Sequence, residues 1–183
     1  TTIVNSLSRV TRSRELLWRW LELSALSPVM RTHEGNRPDD NFQIDGDQET
    51  LRHFARCAKI YKAWAAYRKQ LCVQAAETGM PVARHLALHY PADPNVYALS
   101  FEEYLLGEDL LVAPITDPGV VTAKVYLPEG VWVHVFSGRS FAAPKTGLRI
   151  EVAAPPGQPA LFYRQGSAMS EPLMRSLMEQ RLL

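Results

Sequence analysis

The hydrophobic rhythm of this chain changes once, near Gly79 and Pro81, and that change limits the folds open to it. Upstream, over residues 48–78, Leu51, Phe54, Ala58, Tyr61 and Ala65 recur at spacings of three and four, then the stripe moves to Trp64, Tyr67, Leu71 and Ala75. This spacing predicts one amphipathic helix with a bend allowed where the stripe shifts, stopped by Gly79 and Pro81. Downstream, Val82, Leu86, Leu88 and Tyr90 alternate with other residues, and apolar runs follow at 109–115, 123–127, 131–136, 148–152 and 160–163. Pro128-Glu129-Gly130 and Ser137-Gly138 punctuate them. Strands at that spacing predict an antiparallel β-sandwich. Ser100 and Glu103 read as a capping box for one short helix ending near Gly107. In the tail, Leu173, Met174, Leu177 and Met178 have helical spacing.

The first part of the chain holds a second constraint. Ser13 is a fair N-cap, and from Arg14 the residues Leu16, Leu17, Trp20, Leu21, Leu23 and Leu26, widened by Trp18, predict a helix buried on most sides. Both tryptophans read as packing residues there rather than as platforms for a sugar. Pro28 ends this helix and starts a short strand over 28–32, which feeds a polar loop over 35–47 rich in Asn, Asp, Gly and Pro. Helix, strand, loop and long helix is the repeat unit of an α/β barrel. In a strand Arg31 and His33 point the same way, at the carboxyl end where barrels carry their chemistry, so both are candidate substrate contacts; the alternatives are that Arg31 braces the strand end by pairing with a carboxylate and that His33 hydrogen-bonds a neighbouring loop. Asn36 and Arg37 either reach a substrate or hold the loop. The carboxylates Glu34, Asp39, Asp40, Asp45 and Asp47 invite an acid and base assignment, but loop carboxylates are most often solvated or capping, and Asp47 stands where the long helix begins.

Composition narrows the function. The 20 basic and 19 acidic residues are intermixed and leave a formal net charge of +1, so no field gathers phosphate backbones or anionic lipid, and nucleic acid is an unexpected partner. No apolar run approaches the ~20 residues of a membrane span. Cys57 and Cys72 fall on one expected helix, ~22 Å apart at ~1.5 Å per residue, which excludes a disulfide between them and suits the cytoplasm. His85 and His89 lie in an alternating run where their separation as a strand is ~13 Å, so a shared metal ion is not expected, and no cofactor motif or Gly-x-Ser-x-Gly elbow occurs.

The segments PVMRTHEGNRP, DNFQIDGD and ETLRHFAR, with LLGEDLLVAPI and VYLPEGVWVHVFSG downstream, resemble glycoside hydrolase family 31, and more narrowly its sulfoquinovosidases. The resemblance runs from about residue 1 to about residue 164 and keeps the family's order of segments. It implies the last helix-strand-helix portion of a TIM (β/α)8 barrel over residues 1–80, a β-sandwich over 81–165 and a helical tail over 166–183. It also implies retaining hydrolysis of an α-glycoside, with a small-molecule α-sulfoquinovoside as the expected substrate and an α-glucoside or α-xyloside as the alternative. In that family both catalytic Asp residues precede the strand matched here, so this chain is expected to be the carboxyl-terminal portion of a larger enzyme, inactive without its amino-terminal part. The family places a sugar-binding His after the Arg of this strand, and Arg31-Thr32-His33 matches it. Where family members often carry Pro before the Tyr of the long helix, Ala66 precedes Tyr67 here, which predicts a straighter helix. A different class stays open: a module binding carbohydrate or protein, in which Trp132 and Tyr126 are either core or platform.

Overall fold

The computed structural model describes residues 11–33 and 37–183. Helix α1 (Arg14–Ala25) is capped by Ser13, whose side chain accepts from the Leu16 amide. Leu17, Leu21, Ala25 and Leu26 bury one face, while Leu16, Trp20 and Leu23 form a second apolar stripe that is only half covered. That stripe lines a groove of about 460 Å³ with Pro114, Ile115 and Pro118. Trp18 is a packing residue, stacked on His53 at 4.7 Å and donating from Nε1 to Thr50 Oγ1 at 2.9 Å.

The predicted strand over 28–32 is not paired among the described residues. A strand needs a neighbouring backbone, and here side chains take the carbonyls instead: Tyr61 Oη donates to Pro28 O at 3.0 Å and Ser27 Oγ to Val29 O at 2.9 Å. Accordingly the described residues form no barrel. The long helix is also divided, into α2 (Gln48–Ala63) and α3 (Ala65–Thr78), at Trp64, where φ is −102° and ψ 16°. The break falls where the apolar stripe shifts, and Ala66 does not prevent it. Trp64 is fixed in the core by its Nε1 bond to Ala25 O at 2.8 Å, so anchoring of this ring accompanies the change of face.

The β part has a six-stranded antiparallel sheet and a two-stranded antiparallel ribbon. Its strands are β1 (Ala83–Arg84), β2 (Tyr104–Leu106), β3 (Leu110–Ala113), β4 (Thr122–Leu127), β5 (Gly130–His134), β6 (Ser140–Ala143), β7 (Leu148–Ala153) and β8 (Ala160–Arg164). The sheet runs β1-β2-β3-β8-β5-β6, and the ribbon pairs β4 with β7. Leu106, Leu110, Val112 and Leu161 point to the core shared with the helices, whereas Leu105, Leu111, Ala113 and Phe162 point to the core shared with the ribbon. Burial on both faces is why these strands read as continuous apolar runs. Helix α4 (Ser170–Glu179) buries Leu173 and Leu177 against the helical core.

Two local expectations fail in this region. Only Ala83–Arg84 of the 82–90 run is strand; His85 Nδ1 accepts from the Ala87 amide and starts a 3₁₀ turn at Leu86–Leu88. The expected capping box at Ser100 and Glu103 forms no helix, because Leu105 and Leu106 pair with Leu111 and Leu110 across a hairpin. Glu102, not Glu103, takes the Ser100 and Phe101 amides, at 2.6 and 2.9 Å. The hairpin turns on Gly107, where φ is +62° and an added Cβ would lie 2.2 Å from Tyr67 Oη, so only glycine fits.

Candidate functional site

Arg12 organises the segment that carries the predicted substrate contacts. Its Nε donates to Phe42 O at 2.8 Å, Nη1 to His33 O at 3.0 Å and Nη2 to Gln43 Oε1 at 3.0 Å, while its amide donates to Asn41 Oδ1 at 2.8 Å. A guanidinium presents its donors in a fixed fork, so one side chain sets the His33 backbone against the loop over 41–43. Partial burial lowers the Arg12 pKa. Asn41 extends the brace through Nδ2 to Arg37 O at 2.7 Å, and Gln43 Nε2 reaches Pro38 O at 2.9 Å.

This brace leaves a depression of about 480 Å³ lined by Thr32, His33, Gln43, Ile44 and Asp45. Of the predicted contacts among the described residues, His33 alone lines it. Arg31 is exposed and forms no ion pair among the described residues, and the exposed Arg37 lies 3.4 Å from Asp40 Oδ2 through Nη1. Asn36 lies outside the described residues. Asp47 caps α2 by accepting from the Thr50 amide at 2.6 Å, and that bond holds its carboxyl below the usual range. Arg14 Nε sits 3.3 Å from its Oδ2. Arg12, Asn41 and Gln43 were not singled out from sequence; the one available signal was the polar composition of their loop.

A second group of polar residues is buried between the helices and the sheet. Glu22 Oε2 accepts from Arg19 Nη1 at 2.9 Å and Oε1 from the Gly157 amide at 2.6 Å, with His53 Nε2 at 3.6 Å. Arg19 Nη2 donates to Val120 O at 2.8 Å, and Arg56 donates to Gly157 O at 2.5 Å and to Leu182 O at 2.7 Å. Burial raises the Glu22 pKa and lowers that of His53, which favours a neutral imidazole. The described residues contain no group of three His, Cys, Asp or Glu arranged to hold a metal ion, and no helix among them is long and apolar enough to cross a membrane.

Glu103 is the most perturbed carboxyl outside this network. It is 3% exposed, its Oε2 accepts from the Tyr126 amide at 2.8 Å, and desolvation pushes its pKa up to about 8. The folded chain therefore retains a proton that the unfolded chain releases near 4.5, and stability falls as pH rises through the window between these values. Glu103→Gln keeps an acceptor for Tyr126 and removes the titration. Thermal melts should show the variant gaining stability relative to wild type from about pH 5 to about pH 8; a constant difference would mean that Glu103 titrates normally.

Comparison with known proteins places the chain. Residues 79–169 match the glycosyl hydrolase family 31 C-terminal domain. The sulfoquinovosidase of Agrobacterium fabrum is 51% identical over 158 residues, covering 86% of this chain and 23% of that protein. Alpha-glucosidase 2 of Bacillus thermoamyloliquefaciens is 32% identical over 158 residues, covering 85% of this chain and 19% of that protein. Among solved structures, a family 31 sulfoquinovosidase from E. rectale in complex with an aza-sugar inhibitor superposes with a TM-score of 0.88 at 38% identity, covering 94% of this chain and 25% of that one. The chain thus spans about a quarter or less of the length of these relatives. It belongs to glycosyl hydrolase family 31, and residues 79–169 are its C-terminal domain.

Proposed function

We propose that this chain is the carboxyl-terminal portion of a retaining α-glycoside hydrolase acting on α-sulfoquinovosides, with both catalytic Asp residues outside it. The observation that carries this reading is 51% identity to a sulfoquinovosidase across 86% of the chain, against 32% for an α-glucosidase across a similar share. In the longer enzyme, residues 1–80 complete a (β/α)8 barrel, and the 28–32 segment gains the strand neighbours it lacks among the described residues. The exposure of Val29, at 70%, and the half-covered stripe of Leu16, Trp20 and Leu23 are consistent with surfaces that another part of the enzyme covers.

His33 opens onto the depression beside Gln43 and Asp45 and donates to a sugar hydroxyl there. Arg31 and Arg37 serve as further substrate contacts, and so does Asn36, which lies outside the described residues. The enzyme needs no cofactor, since two carboxyl groups suffice for this hydrolysis. Cys57, buried, and Cys72, exposed, are both free thiols, which supports a cytoplasmic location. Purified alone, the 183-residue chain should not turn over a chromogenic α-sulfoquinovoside, whereas the longer enzyme should hydrolyse it in preference to the matching α-glucoside. Turnover by the chain alone that is lost on changing one of its own carboxylates would place the catalytic residues here; preference for the α-glucoside would reassign the substrate.

A further inference from the structure

Trp132 and Tyr126 belong to the core, 0% and 2% exposed, so neither strand aromatic meets a sugar. Polar groups converge instead around the His33 depression, whose walls come from two stretches of chain: Thr32 and His33 on one side, Gln43, Ile44 and Asp45 on the other. Arg12 lines neither wall, yet it is bonded to both. It is seated first on the loop of the second wall: the Phe42 amide donates to Arg12 O at 2.9 Å, Arg12 Nε donates back to Phe42 O at 2.8 Å, and the Arg12 amide donates to Asn41 Oδ1 at 2.8 Å. The Gln43 side chain is oriented as well, because Nε2 donates to Pro38 O and to Asn41 O, both at 2.9 Å, which turns Oε1 toward Arg12 Nη2 at 3.0 Å. With Nε and Nη2 committed to the loop, the rigid plane of the guanidinium aims Nη1 at His33 O, 3.0 Å away.

We propose that Arg12 is a positioning residue for the hydrolysis, which touches no substrate and acts by fixing His33 relative to the opposite wall of its depression. The role rests on the reading of His33 as a substrate contact. A hydrogen bond to a sugar hydroxyl tolerates little displacement, and a misplacement of about 1 Å can lower a rate about a hundredfold. The His33 carbonyl and ring belong to one residue, so releasing the carbonyl releases the ring from its place over the depression. Lysine at position 12 would keep the charge and lose the function, because a compact ammonium does not match three acceptors set around a planar fork: His33 O, Phe42 O and Gln43 Oε1. Comparing arginine with lysine therefore separates geometry from charge.

Kinetics of the longer enzyme on a chromogenic α-sulfoquinovoside test this with a cycle of wild type, Arg12→Lys, His33→Ala and the double variant, each also melted. Arg12→Lys should lower kcat/KM at least about tenfold where His33 is present and less than about twofold where His33 is already alanine, because a residue that acts through another has nothing left to position. Arg12→Gln, uncharged and still a donor, gives a second route into the cycle and should behave alike even where the lysine variant melts lower. An additive cycle, or an unchanged kcat/KM in Arg12→Lys and Arg12→Gln, would overturn the proposal and leave Arg12 a brace of the loop with no part in the reaction. If His33→Ala is itself silent, the reading of His33 falls and the role of Arg12 falls with it. That result is distinct from one in which His33→Ala loses activity and the Arg12 variants do not, where only the role of Arg12 falls.

Discussion

Glu22→Ala should lower the unfolding free energy of the chain by about 3–5 kcal/mol, the range for removing one member of a buried charged pair. The loss is large because two groups depend on that carboxylate: the buried Arg19 guanidinium at 2.9 Å and the Gly157 amide at 2.6 Å. Removing Glu22 leaves a cation and an amide donor without their acceptor, away from water. Replacing both partners by apolar residues of similar shape, Arg19→Met with Glu22→Leu, should recover much of the loss, because the desolvation of two charges is then removed as well. Urea unfolding of the wild type, the single variant and the double variant measures this directly. A single-variant effect below about 1 kcal/mol would mean that the pair behaves as a solvated one.

In the longer enzyme, His33→Ala should reduce kcat/KM by roughly ten- to a thousandfold. A neutral hydrogen bond contributes about 1 kcal/mol, and one that strengthens as the sugar ring flattens toward an oxocarbenium ion contributes a few. His33 is exposed at the edge of its depression, so the melting temperature should hardly move. Arg31→Ala serves as the comparison: Arg31 does not line the depression, so its contribution as a flanking contact should be the smaller of the two. Unchanged kcat/KM, or a loss that tracks a fallen melting temperature, would make His33 a structural residue.

The β part was legible in the sequence because its signals are local. Apolar runs separated by turn residues mark β3, β4, β5, β7 and β8, and each is found within a few residues of its run. Where reading failed, tertiary pairing outweighed local preference. Ser100 and Glu103 have the spacing of a capping box, but Leu105 and Leu106 gain more by completing a hairpin buried on both faces than a short helix would gain from a cap. The strand over 28–32 failed for the opposite reason: its pattern was adequate, but the described residues provide no backbone to pair with it. Around the candidate site, His33 is singled out by sequence because Arg31-Thr32-His33 matches the order of the resembled family, and it lines the depression. Arg12 is not, because the four bonds described for it reach residues 29 to 31 positions away on the loop and 21 positions away at His33, and no periodicity encodes such contacts. Arg19 and Glu22 escaped likewise, since charged residues three apart on a helix ordinarily face water.

Gly157 sits at the join of the two halves of the molecule. Its amide is held by Glu22 of α1 and its carbonyl by Arg56 of α2, and an added Cβ would meet Arg56 at 3.2 Å, at a φ of +88°. A single residue between β7 and β8 is thus gripped from both sides by helical side chains that precede it in sequence by 135 and 101 residues. The border at which the C-terminal family match begins, residue 79, is consequently a border of kinship and not of cooperativity. Severing the chain there would strand ionised groups on the helical side and bare amides on the other, so inheritance of the β part by itself would require new partners for both.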